Sequence, residues 1–361
     1  MTMPPSGQWP PPPQGPPQYW GPPPPPPKGG KKTKWVLGGL GILVVVVVTV
    51  IATMFFTHHS VESAPGTIAA SPTSPVNTAI VASANDRGPV ALITDDPTCQ
   101  AWTPIVETLV ARLPQGWKDR DSSAASSTWT PDVHASYEAA ATAMRSAADQ
   151  TVPLVSKTPH RVMRELYAQT IAYWRAYADA TSNYEPTDNY LANASTTASN
   201  ALVWICDAMT SGSAAARSLL IPPTTPPIDF APIGDPARPE RFLKEPSPAC
   251  SDWSSTAEEF EAVSKDWVRT DPSLPVAQWS PEQQQVYAAI SAPMSINANK
   301  LQDIALRSNN ALFTDFADLA ALYRKAFVQS FPTYVPPDAH LANSASQLVA
   351  FVNLACKAAG I

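Results

Sequence analysis

The sequence is short of charge, of histidine and of cysteine, and each shortage narrows what the protein can be. Charged residues make up 15% of the 361 residues. Beyond residue 56 there are 20 bases against all 30 acids, a net charge of −10. That balance argues against nucleic acid as a partner and gives no electrostatic reason to dock on anionic lipid. The five histidines include His58 and His59 side by side, while His134, His160 and His340 have no histidine at the matching place in the duplicated region described below. There is no H-E-x-x-H, no G-x-S-x-G, no phosphate loop and no dinucleotide fingerprint. No catalytic, cofactor-binding or metal-ligating residue is therefore assigned, and no cofactor is expected. Cys99, Cys206, Cys250 and Cys356 include no C-x-x-C pair; an even count favours disulfides in an oxidising compartment over metal ligation.

Proline, by contrast, is abundant, at 41 residues. Fourteen of them lie in residues 1–30, among Trp9, Tyr19 and Trp20. Residues 1–34 read as a disordered, polyproline-rich tail that can dock in the aromatic groove of a proline-binding partner, or serve only as a solvated leader. Residues 35–56, WVLGGLGILVVVVVTVIATMFF, carry no charge. As a helix they would span roughly 33 Å, enough for a hydrocarbon core of about 30 Å. Lys28, Lys31, Lys32 and Lys34 stand just before them, which predicts a cytoplasmic N-terminus. The expectation is a single-pass plasma-membrane protein with its C-terminal part outside. A cleaved signal is disfavoured, because the apolar run is long for one and Ser63-Ala64 is followed by Pro65. Residues 57–94, rich in Ser, Thr, Ala and Pro, read as a flexible extracytoplasmic stalk of about 35 Å.

Residues 95–361 contain an internal duplication. One copy opens with PTCQAW at 97–102, the other with PACSDW at 248–253. From Trp117 onward the offset is a constant 150. It pairs Trp117 with Trp267, Trp129 with Trp279, Tyr137 with Tyr287, Met144 with Met294, Tyr173 with Tyr323, and Cys206 with Cys356. The expected domains are residues 95–211 and 248–361, joined by a proline-rich connector at 212–247 of which Phe230 and Phe242 are expected to pack on a domain.

Each copy reads as four helices, with few strand signals. Trp102, Ile105, Leu109 and Leu113 recur at helical spacing after the first cysteine. The second helix is announced by Thr130-Pro131-Asp132 and Ser280-Pro281-Glu282, each a cap residue, a proline at the first helical position and an acid. Pro153 and Pro293 fall further along and predict a kink or break. The third helix is expected from about Thr158 and Ser308, the fourth just past the Y-x-P-x-D turns. In an up-down-up-down bundle the start of the first helix and the end of the fourth meet, which predicts Cys99–Cys206 and Cys250–Cys356. The expected fold is all-α: a transmembrane helix followed by two tandem four-helix-bundle-like domains, each closed by a disulfide.

The duplicated polar residues Asp188 and Asp338, with Asn193 and Asn343, are candidates for lining a ligand groove at the same place in each copy. The competing reading makes the aspartates N-caps of the fourth helices and turns the asparagines into the turn. The paired tryptophans could form a carbohydrate platform, or pin a long loop to the helices.

The start WGPPPPPPKGGKKTKWVLGGLGILVVVVVTV, with ANDRGPVALITDDPTCQAW and TPHRVMRELYAQ, resembles an uncharacterised group of proline-rich, single-pass membrane proteins of mycobacteria and related actinobacteria. The resemblance implies a bacterial plasma membrane with the duplicated region in the cell envelope, and brings no functional residues with it. The function expected is to bind or organise an envelope protein or polymer; the alternative is an anchored enzyme acting on an envelope polymer or lipid.

Overall fold

Proline at the first position and a hydroxyl before it start the longest helices. Thr130 Oγ1 accepts a hydrogen bond from the Val133 N–H at 3.4 Å, and Ser280 Oγ from the Gln283 N–H at 3.2 Å. The computed structural model describes residues 81–360. Among these there are nine α-helices and no strand. The first copy supplies α1 (Cys99–Arg112), α2 (Pro131–Lys157), α3 (Arg161–Ala180) and α4 (Asn189–Thr210). A short α5 (Ser213–Ser218) follows. The second copy supplies α6 (Ala249–Val268), α7 (Pro281–Leu306), α8 (Ala311–Ser330) and α9 (Ala339–Ala358). Neither Pro153 nor Pro293 breaks its helix: α2 and α7 continue through them. Each proline removes one N–H from the ladder, a loss that helices of 27 and 26 residues absorb within a packed bundle.

Within each copy, neighbours in sequence pack side by side, α1 on α2, α2 on α3, α3 on α4, and likewise from α6 to α9. Cys99 at the start of α1 is bonded to Cys206 near the end of α4, and Cys250 to Cys356 in the same way. The most extensive helix contact lies between the copies, where α4 packs on α9. Trp204 stacks on His340 at 5.4 Å near one end, and Lys357 reaches the Tyr190 ring near the other; α4 and α9 therefore run antiparallel. Buried Ala194, Ala198, Ala201, Ala345 and Ala355 keep both helices thin, so their backbones can approach closely. α3 also touches α8, and Tyr173 meets Phe351 edge-on across the copies at 5.6 Å.

Residues 81–94, expected in the stalk, instead form a strap on the helices. Val90, Leu92 and Ile93 are buried, the Ala82 N–H donates to Ser156 O, and the Thr224 N–H of the connector donates to Val90 O. The apolar GPVALI stretch outweighs the polar composition around it. The connector is likewise part folded: Phe242 packs against Phe316 and Phe351, and Leu243 and Ile221 are buried.

The membrane expectation is corrected. No helix among the described residues is long and apolar enough to cross a membrane. The long helices carry charged and polar residues along their length; α2, for example, carries Asp132, Glu138, Arg145, Asp149 and Lys157. Residues 35–56, on which the single-pass fold and the plasma-membrane placement rested, lie outside the described residues, as does the tail at 1–34.

Candidate functional site at the contact between the copies

The duplicated tryptophans hold loops. Trp129 lies on Tyr137, ring centroids 3.8 Å apart, and Trp279 on Tyr287 at 3.9 Å. Their indole N–H groups donate to Ala124 O at 2.9 Å and Leu274 O at 2.8 Å. Tyr184 and Tyr334 close the same clasp, donating to Ser122 O and Pro272 O, each at 2.8 Å. The indole N–H groups of Trp129 and Trp279 and the hydroxyls of Tyr184 and Tyr334 are all used on loop carbonyls, so these rings serve as a fastening rather than an open platform.

The carboxylates of Asp188 and Asp338 serve their own turns. Each closes a single 3₁₀ turn by accepting from the backbone N–H three residues back, Glu185 at 2.8 Å and Val335 at 3.1 Å. Neither side chain caps the fourth helix itself. Asp338 is in addition bonded to Arg217 of α5 at 3.1 Å. Asn193 and Asn343 stand half-buried in the helices that follow. Because α4 and α9 are antiparallel, the two sets lie at opposite ends of a helix pair about 30 Å long. The structure does not bring them together.

It does bring together a set that the sequence did not mark. Arg161, the first residue of α3, reaches across to α8 and grips Asp315 with two parallel bonds, Nε to Oδ2 at 2.7 Å and Nη2 to Oδ1 at 3.0 Å. Its Nη1 donates to Asp86 O and Gly88 O of the strap, each at 3.0 Å, and its plane lies over Phe230 of the connector. One turn on, Glu165 accepts from Arg164 at 3.1 Å, and Arg164 also binds Ser83. Glu165 and Asp315 are 150 residues apart, so they are the same position of the repeat, and they face each other. Their contact places this position of the repeat at the joint between the copies. Both are buried.

The charges in this cluster are set by burial and by each other. Burial, then the neighbouring Asp315, push the Glu165 carboxyl well above the usual carboxylate range; Arg164 and Arg161 oppose this without cancelling it. Its Oε2 is buried without a hydrogen bond of normal geometry. Burial works against the Arg161 charge too, but the bonds and charge of Asp315 outweigh it and raise its pKa. The cluster thus sets a Glu165 carboxyl that burial pushes toward its neutral form beside the doubly bonded Arg161–Asp315 pair. Its chemistry is that of a lock: it ties α3, α8, strap and connector through directional bonds. Among the described residues no group of three or more His, Cys, Asp or Glu is placed to hold a metal.

The missed residues left faint signals. Arg161 and Arg164 sit in RVMREL, interleaved with apolar Val162, Met163 and Leu166. Glu165 and Asp315 differ in type, so the duplication did not flag them as a matched pair.

No solved structure matches this chain. An uncharacterised protein of Mycolicibacterium smegmatis (strain MKD8) is 44% identical over 329 residues, covering 90% of this chain and 86% of that protein. The strap, both copies and the connector together coincide with residues 81–360, the segment that matches a family described as mycobacterial ESX-1 associated protein, and the chain belongs to that family.

Proposed function

We propose that the duplicated helical unit is a rigid binding module that holds or organises a partner of the ESX-1 secretion apparatus. The observation that carries this reading is the family match, which spans the strap, both copies and the connector as one block. The connector supplies a place for contact. Leu219 and Ile228 are 98% and 95% exposed, with Leu220 and Ile233 also exposed nearby in sequence, and apolar side chains left in water favour burial against another protein. The proline-rich residues 1–30 offer a second contact, for a partner with an aromatic groove.

The test is secretion. A mycobacterial strain lacking the gene should release less of its ESX-1 substrates into the medium, and the full chain should restore release. A Leu219→Asp, Ile228→Asp variant should fold with an unchanged unfolding temperature yet fail to restore it. Normal secretion in the deletion strain would remove the role; full rescue by the variant would remove the connector as the contact.

A further inference from the structure

The two copies differ at one buried position in a way that changes the chemistry of the core. In the first copy Trp174 of α3 is buried and stacks on Trp102 at 5.9 Å. The residue 150 positions on is Arg324 of α8, only 5% exposed. Around it the framework is nearly the same: Trp267, Met294 and Ala342 repeat Trp117, Met144 and Ala192, and Phe327 stands for Tyr177. Where the first copy has an indole, the second has a guanidinium beside a small, partly open hollow of about 10 Å³, lined by Phe260, Trp267, Met294, Phe327 and Ser346, with Arg324 in its wall.

Arg324 is without a counter-charge. Among the described residues the other two buried arginines each hold a carboxylate, Arg161 with Asp315 and Arg164 with Glu165; Arg324 forms no ion pair. Its Nη1 donates to Asn297 Oδ1, and its plane lies over the Phe260 ring at 4.2 Å. Asn297 is itself fixed, donating to Thr256 O at 3.1 Å. That leaves four of five N–H donors without an acceptor among the described residues. Burial alone lowers its pKa, to about 10, so it remains charged at neutral pH. A buried, charged, underused guanidinium facing a hollow is the arrangement that takes an anion.

We propose that this hollow is a binding site for a single carboxylate group, held by the Arg324 fork and walled by Phe260, Trp267 and Phe327. The geometry selects the class. A carboxylate is planar, carries one charge and matches the fork with two parallel bonds. The innermost space admits little more than one water-sized group, and one cation does not neutralise a phosphate dianion. Phe260, Trp267 and Ser346 are half-buried and form the rim, so the carboxylate can belong to a small free acid or to the end of a chain entering from outside. The site is independent of the connector contact and of the ESX-1 role.

Calorimetry and thermal unfolding of the full chain test this with five probes at matched ionic strength: acetate, an N-acetylated dipeptide with a free C-terminal carboxylate, the same dipeptide as its amide, inorganic phosphate and chloride. Saturable binding of acetate or of the acid dipeptide, with roughly tenfold or greater loss for the amide, is the expected result. Tighter binding of acetate assigns a free small acid; tighter binding of the dipeptide assigns a chain end. Arg324→Met should abolish binding of either. The matched acid and amide give the answer on the native protein even if that variant fails to fold. No saturable binding of either acid, equal binding of acid and amide, equal binding by Arg324→Met, or stronger binding of phosphate or chloride would each overturn the proposal.

Discussion

Glu165 and Asp315 occupy the same position of a duplicated sequence and meet at the joint between its two copies, where burial pushes the Glu165 carboxyl up and Arg161 grips Asp315. Pairing acids this way makes the joint between the copies sensitive to pH. The Glu165 pKa is raised on folding above an unfolded value of about 4.5. Its contribution is therefore complete below that pH and is lost as pH rises through the folded value. Glu165→Gln imitates the protonated form at every pH. Its stability should match the parent near pH 4.5 and exceed it above, the gap growing by at most about 1.4 kcal/mol per pH unit until the folded pKa is passed. Parallel curves of unfolding temperature against pH would show that Glu165 is ionised in the folded protein.

Arg161 and Asp315 are a buried, doubly bonded pair with both side chains almost wholly enclosed. Removing either partner leaves the other charge unpaired, a loss of about 3–5 kcal/mol. Asp315→Asn and Arg161→Met should each lower stability by that order in denaturant titrations. The double variant should cost clearly less than the sum, because the stranded charge is gone. Additive losses would mean that the two side chains act separately.

The bridge Cys99–Cys206 closes a loop of 107 residues. Replacing Cys99 with Ser should cost about 2–5 kcal/mol. Since α4 carries Cys206 and packs on α9 along its length, the loss is expected to lower one transition shared by both copies. Two separated calorimetric transitions, with only one displaced, would show that the copies unfold independently.

The strap buries Val90, Leu92 and Ile93 and supplies acceptors to Arg161. A chain beginning at residue 95 should be less stable than one beginning at 81, by several kcal/mol at about 1.5–3 kcal/mol for each large apolar side chain, and should bind hydrophobic dyes. Equal unfolding temperatures would reduce the strap to a passenger.

The loop clasps offer a smaller, local test. Trp129→Phe keeps an aromatic ring on Tyr137 but loses the bond to Ala124 O. About 1 kcal/mol is expected for that bond, against about 3–5 kcal/mol for Trp129→Ala. Equal costs for the two would mean that the ring itself contributes little.

Helices, caps and the duplication were legible in the residues because they are local or repetitive. Thr130-Pro131-Asp132 starts α2 wherever that helix lies, and the 150-residue offset needs no coordinates. The positions of the cysteines at bundle ends likewise implied the bridges now seen. What helical periodicity encodes is which face of a helix is buried; it does not say against what. So α4 on α9, the meeting of Glu165 with Asp315, the folding of residues 81–94 onto the helices and the lone charge of Arg324 emerged only from the tertiary structure. Each depends on contacts between residues more than seventy positions apart, or on a neighbour that is missing. The apolar run at 35–56 marks the opposite limit: composition alone suggested a membrane helix, and no helix of the described residues supports that reading.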